Sequence, residues 1–178
     1  LCDWSSDVCS SDLLKKGLQN IGILTDQTRR CPVILLLDNS GSMYGDPIDE
    51  LNDGIITFKQ AISKDRTAAV SVEVAIITFG DEVELVQDFT TVNQFNPPNL
   101  YADGLTPMGE AINTALNLLE SRKQTYKTNG IEYYRPWIWL ITDGEPTDTG
   151  SWPISRISQQ VREGDNQGKF LFFAVGVG

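Results

Sequence analysis

The sequence has no histidine among its 178 residues. That absence removes His-based triads, imidazole metal sites and imidazole general bases together. Cysteine is scarce: Cys2, Cys9 and Cys31 form an odd set without framework spacing. The chain is therefore no disulfide scaffold, and Cys31 reads as a reduced, partly buried thiol. No apolar run is long enough to span a bilayer. Positive charge is also short, with 14 Lys and Arg against 24 Asp and Glu for a net charge of −10. This balance argues against nucleic acid or an anionic membrane surface as partner. The N-terminus lacks the basic-then-apolar pattern of a secretory signal, so the expected location is cytoplasmic. Function has to come from carboxylates, hydroxyls and backbone.

What is present fits one soluble globular domain, with 40% hydrophobic and 21% charged residues. Residues 1–13, LCDWSSDVCSSDL, nearly repeat themselves and carry no apolar periodicity. They resemble translated sequencing-adapter sequence and are set aside as a foreign segment. Removing them takes away Asp3, Asp7 and Asp12 and leaves the remainder acidic. Residues 14–30 read as a polar lead-in whose Leu18, Ile21, Ile23 and Leu24 offer apolar contacts. The folded domain is expected over 31–178.

The organising stretch is Pro32 to Met43, PVILLLDNSGSM. Its continuous apolar run, Val33 to Leu37, predicts a strand buried on both faces of a parallel sheet. Asp38 then stands at the strand's C-terminal end, where open α/β sheets place ligands. Asp38, Ser40 and Ser42 offer one carboxylate and two hydroxyls, hard donors suited to Mg²⁺, Mn²⁺ or Ca²⁺. Gly41 is expected to make the turn that lets both hydroxyls face one point.

The rest of the chain alternates helix and strand. Asp46-Pro47 reads as N-cap and first residue of a helix, with Ile48, Leu51, Ile55, Phe58 and Ile62 on its apolar face. Val70 to Phe79 predicts a second strand. Val83, Leu85 and Val86 predict a short antiparallel edge strand, followed by a polar loop over 87–104. Thr106-Pro107 reads as N-cap and first residue of another helix, buried through Ala111, Ile112, Ala115, Leu116 and Leu119. Trp137 to Ile141 predicts a buried strand ending in Thr142-Asp143-Gly144. A helix over Trp152–Arg162 and a strand over Lys169–Val175 complete the order β-α-β-β-α-β-α-β. This order implies a three-layer α/β/α, doubly wound, Rossmann-like sheet, mostly parallel with one short antiparallel edge strand. A doubly wound sheet normally continues past such a strand, so C-terminal truncation is expected.

Asp38-x-Ser40-x-Ser42, Thr106 in LTPMGEAI and Asp143 in ITDGEPTD occur in that order. Together they resemble the metal-ion-dependent adhesion site of the von Willebrand factor type A (VWA) domain. The resemblance covers about residues 30–178, apart from the family's usual last helix and strand. It implies that Asp38, Ser40, Ser42, Thr106 and Asp143 hold Mg²⁺, with Mn²⁺ or Ca²⁺ as alternatives. It further implies that a Glu or Asp of a partner protein completes the metal shell, in a module with no catalytic activity. Within the family, LLLDNSGSM, GLTPMGEAI and WLITDGEPTD are similar to the bacterial tellurite-resistance TerY-like group. That likeness implies a stress-response setting.

The rival reading is a Mg²⁺-dependent phosphatase-like hydrolase with Asp38 as nucleophile. That pattern wants a second Asp where Ser40 stands, and a Lys near the phosphate. A serine hydrolase lacks its His and Gly-x-Ser-x-Gly, and a P-loop lacks Gly-Lys-Ser/Thr. A structural domain with a vestigial site is the third option. Trp137 and Trp139 share a strand face and are expected to pack on a helix, and Tyr133 and Tyr134 to anchor a loop. Glu110 favours a helix N-terminus. Asp46, Asp103, Glu145 and Asp148 form an acidic rim around the expected ligands.

Overall fold

β1, Cys31–Asp38, is the middle strand of five. Its residues after Cys31 are all buried because both sheet faces are covered. Ile34 and Leu36 point into one core and Val33, Leu35 and Leu37 into the other, the alternation a pleated strand imposes. The computed structural model describes residues 28–147 and 152–177. The expectations for residues 1–13, for most of the 14–30 lead-in and for Asp148 fall outside them.

The sheet order is β3-β2-β1-β4-β5. The strands are β2 Val72–Phe79, β3 Val83–Thr91, β4 Trp137–Thr142 and β5 Leu171–Gly176. β1 pairs parallel with β2 and β4, β4 pairs parallel with β5, and β3 alone runs antiparallel at the edge. The expected three-layer, mostly parallel architecture is the one observed.

One face is covered by α1, Asp46–Lys64, through buried Ile48, Leu51 and Ile55. Each such side chain contributes about 1.5–3 kcal/mol by leaving water. The N-cap is Gly45, at φ 92°, so Asp46 and Pro47 sit one position further into the helix than the sequence suggested. The other face is covered by α3, Met108–Thr128, and α4, Ile154–Asn166. Beside α1, β4 and β5 border an apolar cleft of about 340 Å³ lined by Trp139, Ile141, Val175 and Val177.

Three local expectations are corrected. Val70 does not begin a strand: Arg66–Ser71 forms a short helix, α2. The Asp65 carboxylate accepts from the Thr67 and Ala68 amides at 2.8 Å each, an N-cap that outweighs the Val70-Val72-Val74 alternation. β3 reaches Thr91 instead of stopping at Val86, because pairing with Val74 and Glu73 recruits the polar Thr90 and Thr91. An edge strand half-open to solvent needs no apolar pattern there. Trp137 and Trp139 do share a face, but only Trp139 packs against the cluster that holds Ile48, Leu51 and Ile55 of α1, whereas Trp137 is exposed; the ring partner of both is Phe173 on β5. The centroids lie 6.1 Å and 4.4 Å away.

The end of the sheet where the strands begin is tied by charge. Glu73, buried, accepts from the Arg122 guanidinium at 2.6 Å and from the Tyr126 hydroxyl. Burial first, then the Glu73 carboxylate, pushes the Tyr126 phenol above its ordinary value. Tyr133 lies against Tyr126 and Tyr134 against Arg29, so both tyrosines anchor the loop before β4. Cys31 is free and half-buried, and burial raises its thiol.

Candidate functional site

From β1 the chain crosses to β2 on one side, and from β4 it crosses to β5 on the other. The C-terminal ends of β1 and β4 therefore border a switch point, where loops diverge and leave a crevice. Asp38 ends β1 and Thr142 ends β4, with Asp143 directly after it.

The β1 loop closes on itself at once. The Ser40 amide donates to Asp38 Oδ1 at 2.8 Å, and Ser40 Oγ lies 3.0 Å from Ser42 Oγ. Ser42 Oγ donates to Asp143 Oδ1 at 2.7 Å. A chain of contacts thus joins Asp38, Ser40, Ser42 and Asp143. The 3₁₀ turn Gly41–Met43 carries Ser42 outward and drives Met43 into the core. Gly41 opens that turn, as expected, without a positive φ, and the Ser40 and Ser42 hydroxyls on either side of it do meet. Its amide donates to the Gly104 carbonyl at 3.0 Å, and a Cβ on Gly41 would stand 3.4 Å from that oxygen. That is ordinary contact distance, so the two loops meet here through the backbone hydrogen bond of Gly41.

Thr106 arrives on the second of those loops. Gly104, at φ 81°, makes the turn, and a side chain there would collide with the Asp81 backbone. Thr106 is not the helix N-cap that the sequence suggested: α3 starts at Met108 with Pro107 before it and no side-chain cap. Thr147 supplies the anchor instead. Its hydroxyl accepts from the Thr106 amide and its own amide donates to the Thr106 carbonyl, both at 3.0 Å. This leaves the buried Thr106 hydroxyl aimed at the crevice. A methyl-sized point built on Gly144 lies 3.5 Å from Ser42 Oγ, 3.7 Å from Thr106 Oγ1 and 4.0 Å from Asp38 Oδ2.

Asp38, Ser42 and Thr106 therefore bring oxygens around one point, and Ser40 and Asp143 join them through Ser42. Sequence reasoning missed Thr142, whose hydroxyl donates to Asp38 Oδ2 at 2.5 Å and accepts from the Gly144 amide at 3.1 Å. Its position next to Asp143 at a strand end was the available signal. It also missed Thr147, which carries no motif.

The donor set is two carboxylates and three hydroxyls. Among the described residues no three Asp, Glu, His or Cys side chains gather to hold a metal. A cation here would depend on serine and threonine oxygens, and an all-oxygen set with few carboxylates fits a hard ion of modest charge demand. Asp38 is fully buried with both oxygens engaged by Ser40 and Thr142, a poor disposition for a nucleophile.

A family model described as the von Willebrand factor type A domain matches residues 33–145. Inter-alpha-trypsin inhibitor heavy chain H4 of Sus scrofa is 28% identical over 155 residues, covering 82% of this chain and 15% of that protein. The chain thus spans a small part of that relative's length. Among solved structures, manganese-loaded TRAP of Plasmodium vivax superposes with a TM-score of 0.54 at 19% identity, over 85% of this chain and 58% of that one. Proximal thread matrix protein 1 of the mussel byssus does so with a TM-score of 0.54 at 18% identity, over 86% and 37%. At these identities the structures speak for the fold.

Proposed function

The chain belongs to the von Willebrand factor type A domain family, a fold typical of non-catalytic interaction modules, and from that premise we propose that it binds partner proteins through a metal-ion-dependent adhesion site. Asp38, Ser40, Ser42, Thr106 and Asp143 are its metal residues, and Mg²⁺ is the proposed ion. The observation that carries the reading is the convergence of Ser42, Thr106 and Asp38 oxygens within 4.0 Å of one point at Gly144. The manganese-loaded state of a protein with this fold supports a divalent ion of the same size class.

When bound, the cation supplies a Lewis-acidic attachment point for one carboxylate of the partner. This chain's residues do the positioning. Ser40 and Thr142 fix the two oxygens of Asp38, Ser42 orients Asp143, and Thr147 holds the Thr106 backbone. Such prior fixing lowers the entropy lost when ion and partner arrive. Without a cation, Asp38 and Asp143 repel across the crevice, so binding should stabilise the folded state. The motif wording further supports a cytoplasmic role in a bacterial tellurite-resistance or stress system, with a protein partner and no nucleic acid.

Calorimetric titration of chelator-stripped protein with Mg²⁺ or Mn²⁺ tests the reading. One site is expected, lost in Asp38→Ala, with a higher melting temperature for the loaded protein. Equal heats from parent and variant would remove the metal from the account.

A further inference from the structure

The candidate site is ringed by the most exposed large apolar side chains of the described residues. Tyr44 is 82% exposed, Tyr101 74% and Leu105 67%, and the next in rank reaches only 44%. Scattered singly, such residues would need no explanation. These three sit on the loops that build the site. Tyr44 follows the turn that carries Ser42. The Tyr101 carbonyl accepts from Asn39 Nδ2, between Asp38 and Ser40, at 3.2 Å. Leu105 separates Gly104, bonded to Gly41, from Thr106. Nothing in the core requires them to point outward, and exposing each forgoes the stabilisation of burial.

Charge around them is of one sign. Asp81, Asp103 and Glu145 are exposed on the same group of loops, and Asp46 is exposed at the start of α1 beside them. Asp103 donates its amide to the Asn39 carbonyl at 2.7 Å, and Asp81 lies against Gly104. The sequence has no Lys or Arg in 31–58, 67–121 or 136–155, the stretches that carry every site residue. A partner that offered its carboxylate from an acidic surface would meet this rim unscreened.

We propose that this rim selects the partner: it takes a protein segment with one Glu or Asp set among Lys or Arg and a large apolar side chain. The inference rests on the metal-bridged reading above and deepens it. The carboxylate engages the site, the basic flanks answer Asp46, Asp81, Asp103 and Glu145, and the apolar residue packs among Tyr44, Tyr101 and Leu105. Tyrosine suits this task because it gives large contact area with few rotors to fix.

The test uses a displayed peptide library with a fixed central Glu and randomised flanks, panned on this protein with Mg²⁺ and again with chelator. Enrichment of Lys or Arg together with Leu, Phe, Tyr or Trp, in Mg²⁺ only, is the expected result. A synthetic enriched peptide should lose at least tenfold in affinity against Tyr44→Ser/Tyr101→Ser/Leu105→Ser, while that variant's Mg²⁺ titration stays as in the parent. Its affinity should also fall as salt rises. Flanks that come out acidic or neutral, no enrichment at all, or equal binding to the triple variant would each overturn the proposal. A central Glu→Gln exchange in the peptide separates the two readings. Binding that survives that exchange and chelator, yet is lost in the triple variant, sinks the metal bridge and leaves the rim standing.

Discussion

The Ser42 hydroxyl donates to the Asp143 carboxylate at 2.7 Å although 101 positions of sequence separate them. This bond closes the crevice between the β1 and β4 loops. It also shows how the site is kept in order: the two carboxylates are each answered by hydrogen-bond donors, Asp143 by Ser42 and Asp38 by Ser40 and Thr142.

Thr106→Ala removes one proposed ligand and leaves the formal charge of the site unchanged. The Thr147 contacts use the Thr106 backbone and survive the substitution. Metal affinity is expected to fall about 10- to 100-fold, with a loss in folding stability of about 1 kcal/mol or less. Titration calorimetry beside melting curves checks this. A large stability loss with metal affinity intact would assign the hydroxyl to the core.

Gly104→Ala tests the loop geometry. The left-handed φ of 81° costs a side chain about 1–2 kcal/mol, and the collision with the Asp81 backbone adds to that. The loop must shift, the Gly41–Gly104 bond lengthens, and Mg²⁺ binding weakens together with stability. An alanine variant with the parent's melting temperature and metal affinity would show that the loop tolerates other paths.

Tyr126→Phe probes the opposite end of the sheet. The phenol donates to buried Glu73, which also holds Arg122, and its loss should cost about 1–3 kcal/mol at neutral pH. The pH dependence follows from the raised phenol. The unfolded tyrosine ionises first as pH rises, so its contribution is complete below about pH 10 and is lost above that. Denaturant midpoints measured across that range should fall more steeply in the parent than in Tyr126→Phe. Metal binding should be unchanged, because the two ends of the sheet share no contact through this residue's bonds. Parallel pH curves would place the alkaline loss elsewhere.

Local pattern was enough for much of this molecule. The unbroken Val33–Leu37 run marked the central strand, because only a strand covered on both faces has no polar side. The spacing of Ile48, Leu51 and Ile55 marked α1, and Asp38-x-Ser40-x-Ser42, Thr106 and Asp143 marked the oxygen-bearing side chains proposed as donors, because residue type alone says which strand-end side chains carry oxygen. The tertiary structure decided what depends on partners far along the chain. β3 extends to Thr91 because β2 offers it hydrogen bonds. Thr106 is freed from capping because Thr147 holds its backbone. Thr142 becomes part of the site because parallel pairing of β1 with β4 brings its hydroxyl to Asp38, 104 positions away. A hydrogen bond is decided by distance in space, and sequence spacing reports that distance only within one element.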